Sequence, residues 1–473
     1  EKDKNWMGGF TDTNAAIDFA ASGGIPVGGI TEGGKVVTAQ MEHVWVEAWI
    51  DYFPSYGYKH VEGDTWIPLD ASFKQYNYTD GMDIQEAVPF DAETFVDDLV
   101  ASADINEEQG YVTGVDSAYI QQAMESYQTQ VSDYMEAEHP DATVGDVLGT
   151  KTIVKQEFPY LLGTLPYRMK VRGALYSELP ASLRHSLSFR VEAGSILYND
   201  EPLMYSSSLP ELAGKKITLS YAPATQADQD VINSFLPEPN PDGTPIDPSQ
   251  LPTELPAYMI NLKPQMMVEG SIVAEGGSVV MGTYQNFKMG FSLPTLSDDT
   301  ITNLVAAGEY FGVALDLGRI STSQMEKIRS NLESTKAKLE SGTYENLTKD
   351  DILGDLLYTT AMSYYAEADV MDYLQGRTMG VVTVRLPSEA VFSMMLDVEE
   401  FYGSPISAST NGMFMDVDRA MSANVALDGD MEKAKQFVIS SGMNGSTLEH
   451  SVSEQFFSTA DSSKEGVSAV KAL

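Results

Sequence analysis

The chain has no cysteine among its 473 residues, few cations and no long apolar run. Without cysteine it forms no disulfide, offers no thiolate to a metal and supplies no thiol nucleophile. Acidic side chains outnumber basic ones 69 to 29, for a formal net charge of -40. A surface so charged repels phosphate backbones, which argues against nucleic acid as a partner. It suits a solvated extracellular surface or a saline habitat, with weak attraction for divalent cations. No apolar stretch approaches the roughly 18–20 residues a membrane-spanning helix requires, so no membrane span is expected. The C-terminal third offers no phosphate loop, no nucleophile elbow and no metal-spaced histidines.

With 43% hydrophobic residues, the chain has material for substantial cores. Its length predicts roughly two to four domains. Residues 41–52 alternate, with Met41, His43, Trp45, Glu47 and Trp49 on one face and Val44, Val46, Ala48 and Ile50 on the other. That is the pattern of a strand covered on both sides. After a turn-rich stretch, Trp66-Ile67-Pro68-Leu69 opens a second extended run. Antiparallel pairing of the two would bring His43 within side-chain reach of Asp70. A carboxylate bonded to one imidazole nitrogen fixes the tautomer and leaves the other nitrogen to act as a base. The same pair with no nucleophile is a half-buried histidine held by a carboxylate, with no chemistry to do.

Further along, a helix is predicted over 116–138, with Asp116 as N-cap and Ile120, Met124, Tyr127, Val131 and Tyr134 on one stripe. Residues 167–172 and 186–191 alternate, and 215–221, 258–262, 266–273 and 278–283 continue a series of short strands. They predict an antiparallel β-sandwich. Between them, the proline-rich stretch 237–245 is a turn-rich excursion. Asn240, Asp242 and, just beyond it, Asp247 are candidate calcium ligands there, though without the terminal bidentate glutamate of a full loop. The rest reads as a strand over 309–317, a capping box at Ser321 and Gln324 opening a helix to 339, and a more apolar helix headed by Thr348 and running to 374. Strands over 378–386, 391–396 and 413–417 precede a helix over 430–440 that is capped near Gly442. Glu367, Asp369 and Asp372 read as a solvated helix face, and His450 as a surface or packing histidine. The expected fold is multidomain α+β, divided into an α+β unit over 1–90, a helical connector over 91–150, a β-sandwich over 151–294 and a C-terminal α+β unit over 295–473, with helix–strand alternation in the last.

The segments Met41-Glu42-His43-Val44-Trp45-Val46-Glu47-Ala48-Trp49 and Asp64-Thr65-Trp66-Ile67-Pro68-Leu69-Asp70-Ala71-Ser72-Phe73-Lys74 resemble the second half of a transglutaminase-like, papain-like domain. In that family one strand carries a histidine and the next an aspartate. The resemblance implies a partial domain of that kind over 1–90, with His43 as base and Asp70 as its orienter. The family's nucleophile is a cysteine on an upstream helix that runs into a Gly-Ile-Pro turn. Residues 11–20 followed by Gly23-Gly24-Ile25-Pro26 echo that arrangement and put Thr13 at the cysteine's place. A threonine hydroxyl is a poor nucleophile without its own base. The chain opens at Glu1 with no initiator methionine or signal peptide, and its last residues read as a helix cut short. The expectation is therefore a processed segment whose nucleophile helix lies upstream. Segments such as Leu179-Pro180-Ala181-Ser182-Leu183-Arg184-His185 and Leu353-Gly354-Asp355-Leu356-Leu357-Tyr358 resemble large bacterial secreted proteins. Those proteins place a transglutaminase-like domain ahead of β-rich and α/β regions, sometimes beside YD-repeat modules. This implies an extracellular or cell-surface location.

Three functions follow. The first is a non-catalytic scaffold or assembly subunit, partnered by an N-terminal fragment of the same precursor or by copies of itself. The second is the large fragment of a split cysteine hydrolase or transglutaminase whose nucleophile is on another chain. The third is a carbohydrate- or peptide-binding module using Trp45, Trp49, Trp66, Tyr76 and Tyr78. No cofactor is expected beyond the calcium candidate.

Overall fold

The structure, a computed structural model, describes residues 9–53, 62–79, 81–106, 111–194, 201–238, 250–293, 298–317, 320–341 and 347–457. The calcium candidates Asn240, Asp242 and Asp247 lie outside the described residues, as does the helix expected after 465. The fold is α+β, with antiparallel strand pairing throughout the described sheets.

The N-terminal part starts with helix α1 (Thr13–Ser22), capped by Asp12, whose Oδ1 accepts from the Ala15 N–H at 2.9 Å. Strands β1 (Val27–Glu32) and β2 (Lys35–Met41) form one hairpin, and β3 (Val46–Ile50) and β4 (Thr65–Leu69) a separate antiparallel ribbon. Strand β5 (Tyr76–Thr79) precedes helices α2 (Ile84–Ala87) and α3 (Ala92–Ser102), the short hairpin of β6 (Asp104–Asn106) and β7 (Tyr111–Thr113), and helices α4 (Ser117–Glu138) and α5 (Val144–Leu148). Strand β8 (Thr150–Ile153) then returns to pair with β5. That return moves the expected boundary at 90. The helical stretch 91–150 is an excursion between two paired strands, tied back by the Tyr127 hydroxyl, which donates to the Val88 carbonyl at 3.1 Å. Asp116 caps α4 as its spacing predicts, accepting from the Tyr119 N–H.

Residues 154–180 hold neither helix nor strand, although 167–172 alternate as a strand would. Pairing in the described structure begins again at β9 (Ser186–Ala193) and β10 (Leu203–Ser208), followed by α6 (Leu209–Leu212), β11 (Ile217–Pro223), α7 (Gln226–Phe235), β12 (Glu254–Leu255), β13 (Asn261–Val268), β14 (Ser271–Glu275), β15 (Val279–Val280), β16 (Tyr284–Ser292), β17 (Asp299–Ala306) and β18 (Tyr310–Asp316). Helices α8 (Thr322–Glu340) and α9 (Asp355–Met379) come next, then β19 (Val381–Arg385), β20 (Ser388–Phe401), β21 (Ser404–Val417), β22 (Met421–Ala426) and α10 (Met431–Phe457).

Strands in the order β10-β9-β16-β17 make one sheet, and β12-β21-β20-β18-β11-β13-β14, with β15 beside β13, make the other. Their facing side chains form a shared core of Leu187, Phe189, Phe287, Met289, Ile217, Leu219, Phe311 and Val313. This is a sandwich, but its larger sheet runs from 217 to 417. The expected division at 294 is therefore overturned, because β18 pairs with β11 on one side and β20 on the other. On the far face of that sheet, Tyr310, Ala314, Ala390 and Phe392 pack under Leu357, Ala361, Tyr365 and Ala368 of α9, making a third layer.

Two acidic groups lie deeper than their sequence suggests. Asp369 and Asp372 of α9 bond Arg385, and Asp372 also takes Arg419 at 2.5 Å and the Ser441 hydroxyl at 2.6 Å, whereas Glu367 stays exposed. The expected solvated face is instead a charge-paired seam between α9, β19 and α10. Helix α10 continues through Gly442 to Phe457 rather than ending there, packed on α9. At the start of β11, Lys216 is buried among Asp350 and Asp355, and Asp350 also accepts from Thr218 at 2.9 Å and Tyr310 at 2.7 Å. The nearby polar hollow of about 210 Å³ leaves Lys216 no spare donor, since the Asp350 carbonyl takes its third bond.

Gly312 in β18 is placed where a Cβ would lie 1.9 Å from the Phe392 ring. Gly312→Ala is expected to destabilise the sandwich by ~1–3 kcal/mol through overpacking. The measurement is the urea midpoint followed by far-UV circular dichroism; an unchanged midpoint would show that the ring can move aside.

Candidate functional site

Sequence spacing puts His43 on a strand, but the structure ends β2 at Met41 and starts β3 at Val46, leaving His43 in the irregular link between them. Strand β3 pairs in register with β4, Val46 opposite Leu69 and Trp49 opposite Trp66. That register leaves His43 beyond one end of the ribbon and Asp70 immediately after it. Their side chains meet, with His43 Nε2 2.9 Å from Asp70 Oδ2. The imidazole is 22% exposed and the carboxylate only 3%.

Asp70 is the centre of the arrangement. Its Oδ1 accepts from the Ser72 hydroxyl at 2.7 Å and the Ser72 N–H at 2.9 Å, a local turn that braces the carboxylate. Its Oδ2 accepts from the Tyr167 hydroxyl at 2.9 Å as well as meeting His43. Burial pushes the Asp70 carboxyl up, but the bonds from Ser72, His43 and Tyr167 overcome that and hold it at about 2. Burial and the bond to Asp70 push the Tyr167 hydroxyl well above the ordinary range for a phenol. The Tyr167 ring also meets His43 edge-on at 5.6 Å and Phe73 at 5.8 Å.

The irregular segment 154–180 is thereby stapled over the ribbon. Besides the Tyr167 bond, Arg172 pairs with Glu47, and the Tyr52 hydroxyl donates to the Leu161 carbonyl at 3.1 Å. Nothing in its sequence marked Tyr167 as a neighbour of Asp70, 97 residues away. Gly63 is required at the ribbon's other end, because a Cβ there would lie 2.3 Å from the Trp49 ring.

The chemical capacity of the site is that of an oriented base. With Nε2 engaged by Asp70, Nδ1 is the nitrogen that would take a proton from a nucleophile. Ser72 Oγ lies 3.5 Å from Nε2, on the nitrogen already bonded to the carboxylate, and its own bond runs to Asp70. It acts as a brace on Asp70. Thr13 stands at the head of α1, which packs against β1, β2, β19 and β22. The chain contains no thiol to complete the set. No group of carboxylates and imidazoles among the described residues has a geometry that could hold a metal ion. Comparison with protein-family models, with curated proteins and with solved structures finds no match to this chain.

The depressed Asp70 carboxyl has a definite consequence. Because its folded value lies below the ordinary 3.8, it contributes stability above about pH 4 that is lost as the pH falls towards 2. The shift alone corresponds to about 2.5 kcal/mol, which solvent screening at this half-open site reduces to ~1–2 kcal/mol. All four tryptophans, Trp6, Trp45, Trp49 and Trp66, lie in the N-terminal part, so tryptophan emission reports on this region alone. Asp70→Asn is expected to loosen it at neutral pH and to flatten the acid transition between pH 4 and 2. An acid transition identical to that of the parent chain would mean that Asp70 does not stabilise the ribbon.

Proposed function

We propose that this chain is a non-catalytic scaffold, a subunit of an extracellular or cell-surface assembly, in which the His43–Asp70 unit is a structural latch. The observation that carries the proposal is the state of the β3–β4 ribbon. Among the described residues it has two strands, and a two-stranded ribbon is marginal in water without a third strand or a packing partner. Yet Val46, Trp49 and Trp66 are 69%, 51% and 58% exposed, and Val44, Phe53 and Leu69 are exposed beside them. Apolar side chains around an open strand edge match the way one chain adds a strand to another. The occupant proposed is a polypeptide segment that pairs along the ribbon and covers the two tryptophans, supplied by a fragment of the same precursor or by another copy. The absence of any thiol and the commitment of the nearby Ser72 and Tyr167 hydroxyls to Asp70 support a latch rather than a working triad.

A second reading, the large fragment of a split cysteine hydrolase or transglutaminase, is favoured by the contact of His43 Nε2 with Asp70, which orients the imidazole as a carboxylate orients a catalytic base. It needs a thiol donated by a separate chain.

Denaturing intact-mass analysis of natively purified material separates the two. The scaffold reading expects a bound polypeptide or multiple copies, no acyl-transfer activity and no thiol whose alkylation depends on His43. Trp66→Ala should then change the stability of the isolated chain by less than about 1 kcal/mol and release the partner. A co-purified polypeptide bearing a thiol whose alkylation slows in His43→Ala would establish the split enzyme instead. A monodisperse monomer with no bound fragment would rule out both.

A further inference from the structure

Two adjoining stretches of this acidic chain carry opposite charge. Between Lys74 and Lys151 there is no lysine or arginine, against 17 aspartates and glutamates. Residues 151–190 then hold seven lysines and arginines against two glutamates. The structure gives each stretch an exposed feature.

The acidic stretch folds around an open groove of about 280 Å³ between α3 and α4. Its walls are aromatic. Phe95 stacks on Tyr119 at 5.6 Å, and Phe90 meets Phe95 and Tyr127 edge-on at 5.3 and 5.2 Å. All four of these residues are partly exposed. Asp91 stands at the rim as the cap of α3, and Asp98 accepts from the Tyr119 hydroxyl at 2.8 Å. Exposed ring faces beside carboxylates attract guanidinium and ammonium groups, through the ring quadrupole and through charge.

Within the basic stretch lies the irregular segment 154–180. Two of its anchors are Tyr167 on Asp70 and Arg172 on Glu47. Between those anchors Arg168, Met169, Lys170 and Val171 are all exposed, Val171 at 83%. The sequence alternates as a strand would, yet the structure leaves it unpaired. Exposed basic and apolar side chains in one short segment are what an acidic aromatic groove would receive.

We propose that the α3–α4 groove of one copy receives Arg168 and Lys170 of the next, a head-to-tail contact between copies of this chain. The two surfaces differ, so the contact is heterologous and grows into a ring or an open chain according to the rotation between copies. The inference rests on the assembly reading above and names one of its interfaces, whose basic side lies against the β3–β4 ribbon and whose groove lies between α3 and α4.

Sedimentation velocity on the full chain tests it, with Arg168→Glu/Lys170→Glu as one variant and Phe95→Ala/Tyr119→Ala as the other. The parent chain is expected to self-associate with concentration, and less so as salt rises from about 50 to about 500 mM. Each variant alone should associate at least about tenfold more weakly. Mixed together, the two variants should pair once, through the remaining good groove and good segment, and grow no further. Tetramethylammonium should compete with the contact. The basic-segment variant changes only exposed residues outside regular structure, so it remains informative if the groove variant fails to fold. Assembly unchanged in Arg168→Glu/Lys170→Glu would overturn this interface while leaving the scaffold reading intact. A parent chain that stays monomeric and carries no bound polypeptide would overturn both. Binding of tetramethylammonium without self-association would also overturn it, assigning the groove to a foreign cation.

Discussion

Strand β18 is buried at all seven of its positions, and the rest of the C-terminal architecture is arranged around it. Its side chains alternate between two cores. Phe311, Val313 and Leu315 enter the sandwich, while Tyr310 and Ala314 enter the layer beneath α9. A strand with both faces covered cannot slip by one residue without exchanging the two sets, so its register fixes β11 on one side and β20 on the other. The described strands before and after residue 294 therefore belong to one sheet, and cutting it would expose the β18 backbone.

The N-terminal part lacks such a spine. In the described residues it consists of two-stranded ribbons and separate helices, and its organisation depends more on single polar contacts than on buried area. Asp70 is the clearest example, since its carboxylate joins the link before β3, the turn after β4 and the long irregular segment through Tyr167. Several donors on one carboxylate keep it charged and fix its direction. The same geometry suits a catalytic orienter and a structural clip. The ribbon beside it, with its tryptophans in solvent, gives weight to the clip.

Local signals were legible where the physics is local. Asp116 caps α4 and the Ser321–Gln324 box opens α8, because each cap is made within a single turn of chain. Hydrophobic alternation marked β9, and 215–221 and 309–317 read as the strands that β11 and β18 form. Signals failed where a distant partner decided the outcome. Residues 167–172 alternate as a strand but are drawn off by Asp70 and Glu47, so no ladder forms. Asp369 and Asp372 read as solvated acids until Arg385 and Arg419 are brought against them. Gly442 reads as a stop, but packing on α9 carries α10 through it.

By itself the sequence determined the absence of a thiol, the strongly acidic surface, the α+β class and the nearness of His43 to Asp70. Composition is independent of conformation, and the antiparallel pairing of β3 with β4 sets that pair at one end of the ribbon. Only the tertiary structure decided that Tyr167 completes the shell of Asp70, that one sheet spans 217 to 417, and which apolar side chains stay exposed. Those outcomes depend on contacts between residues far apart in sequence. No local pattern encodes which distant segment will supply the donor, the neighbouring strand or the cover.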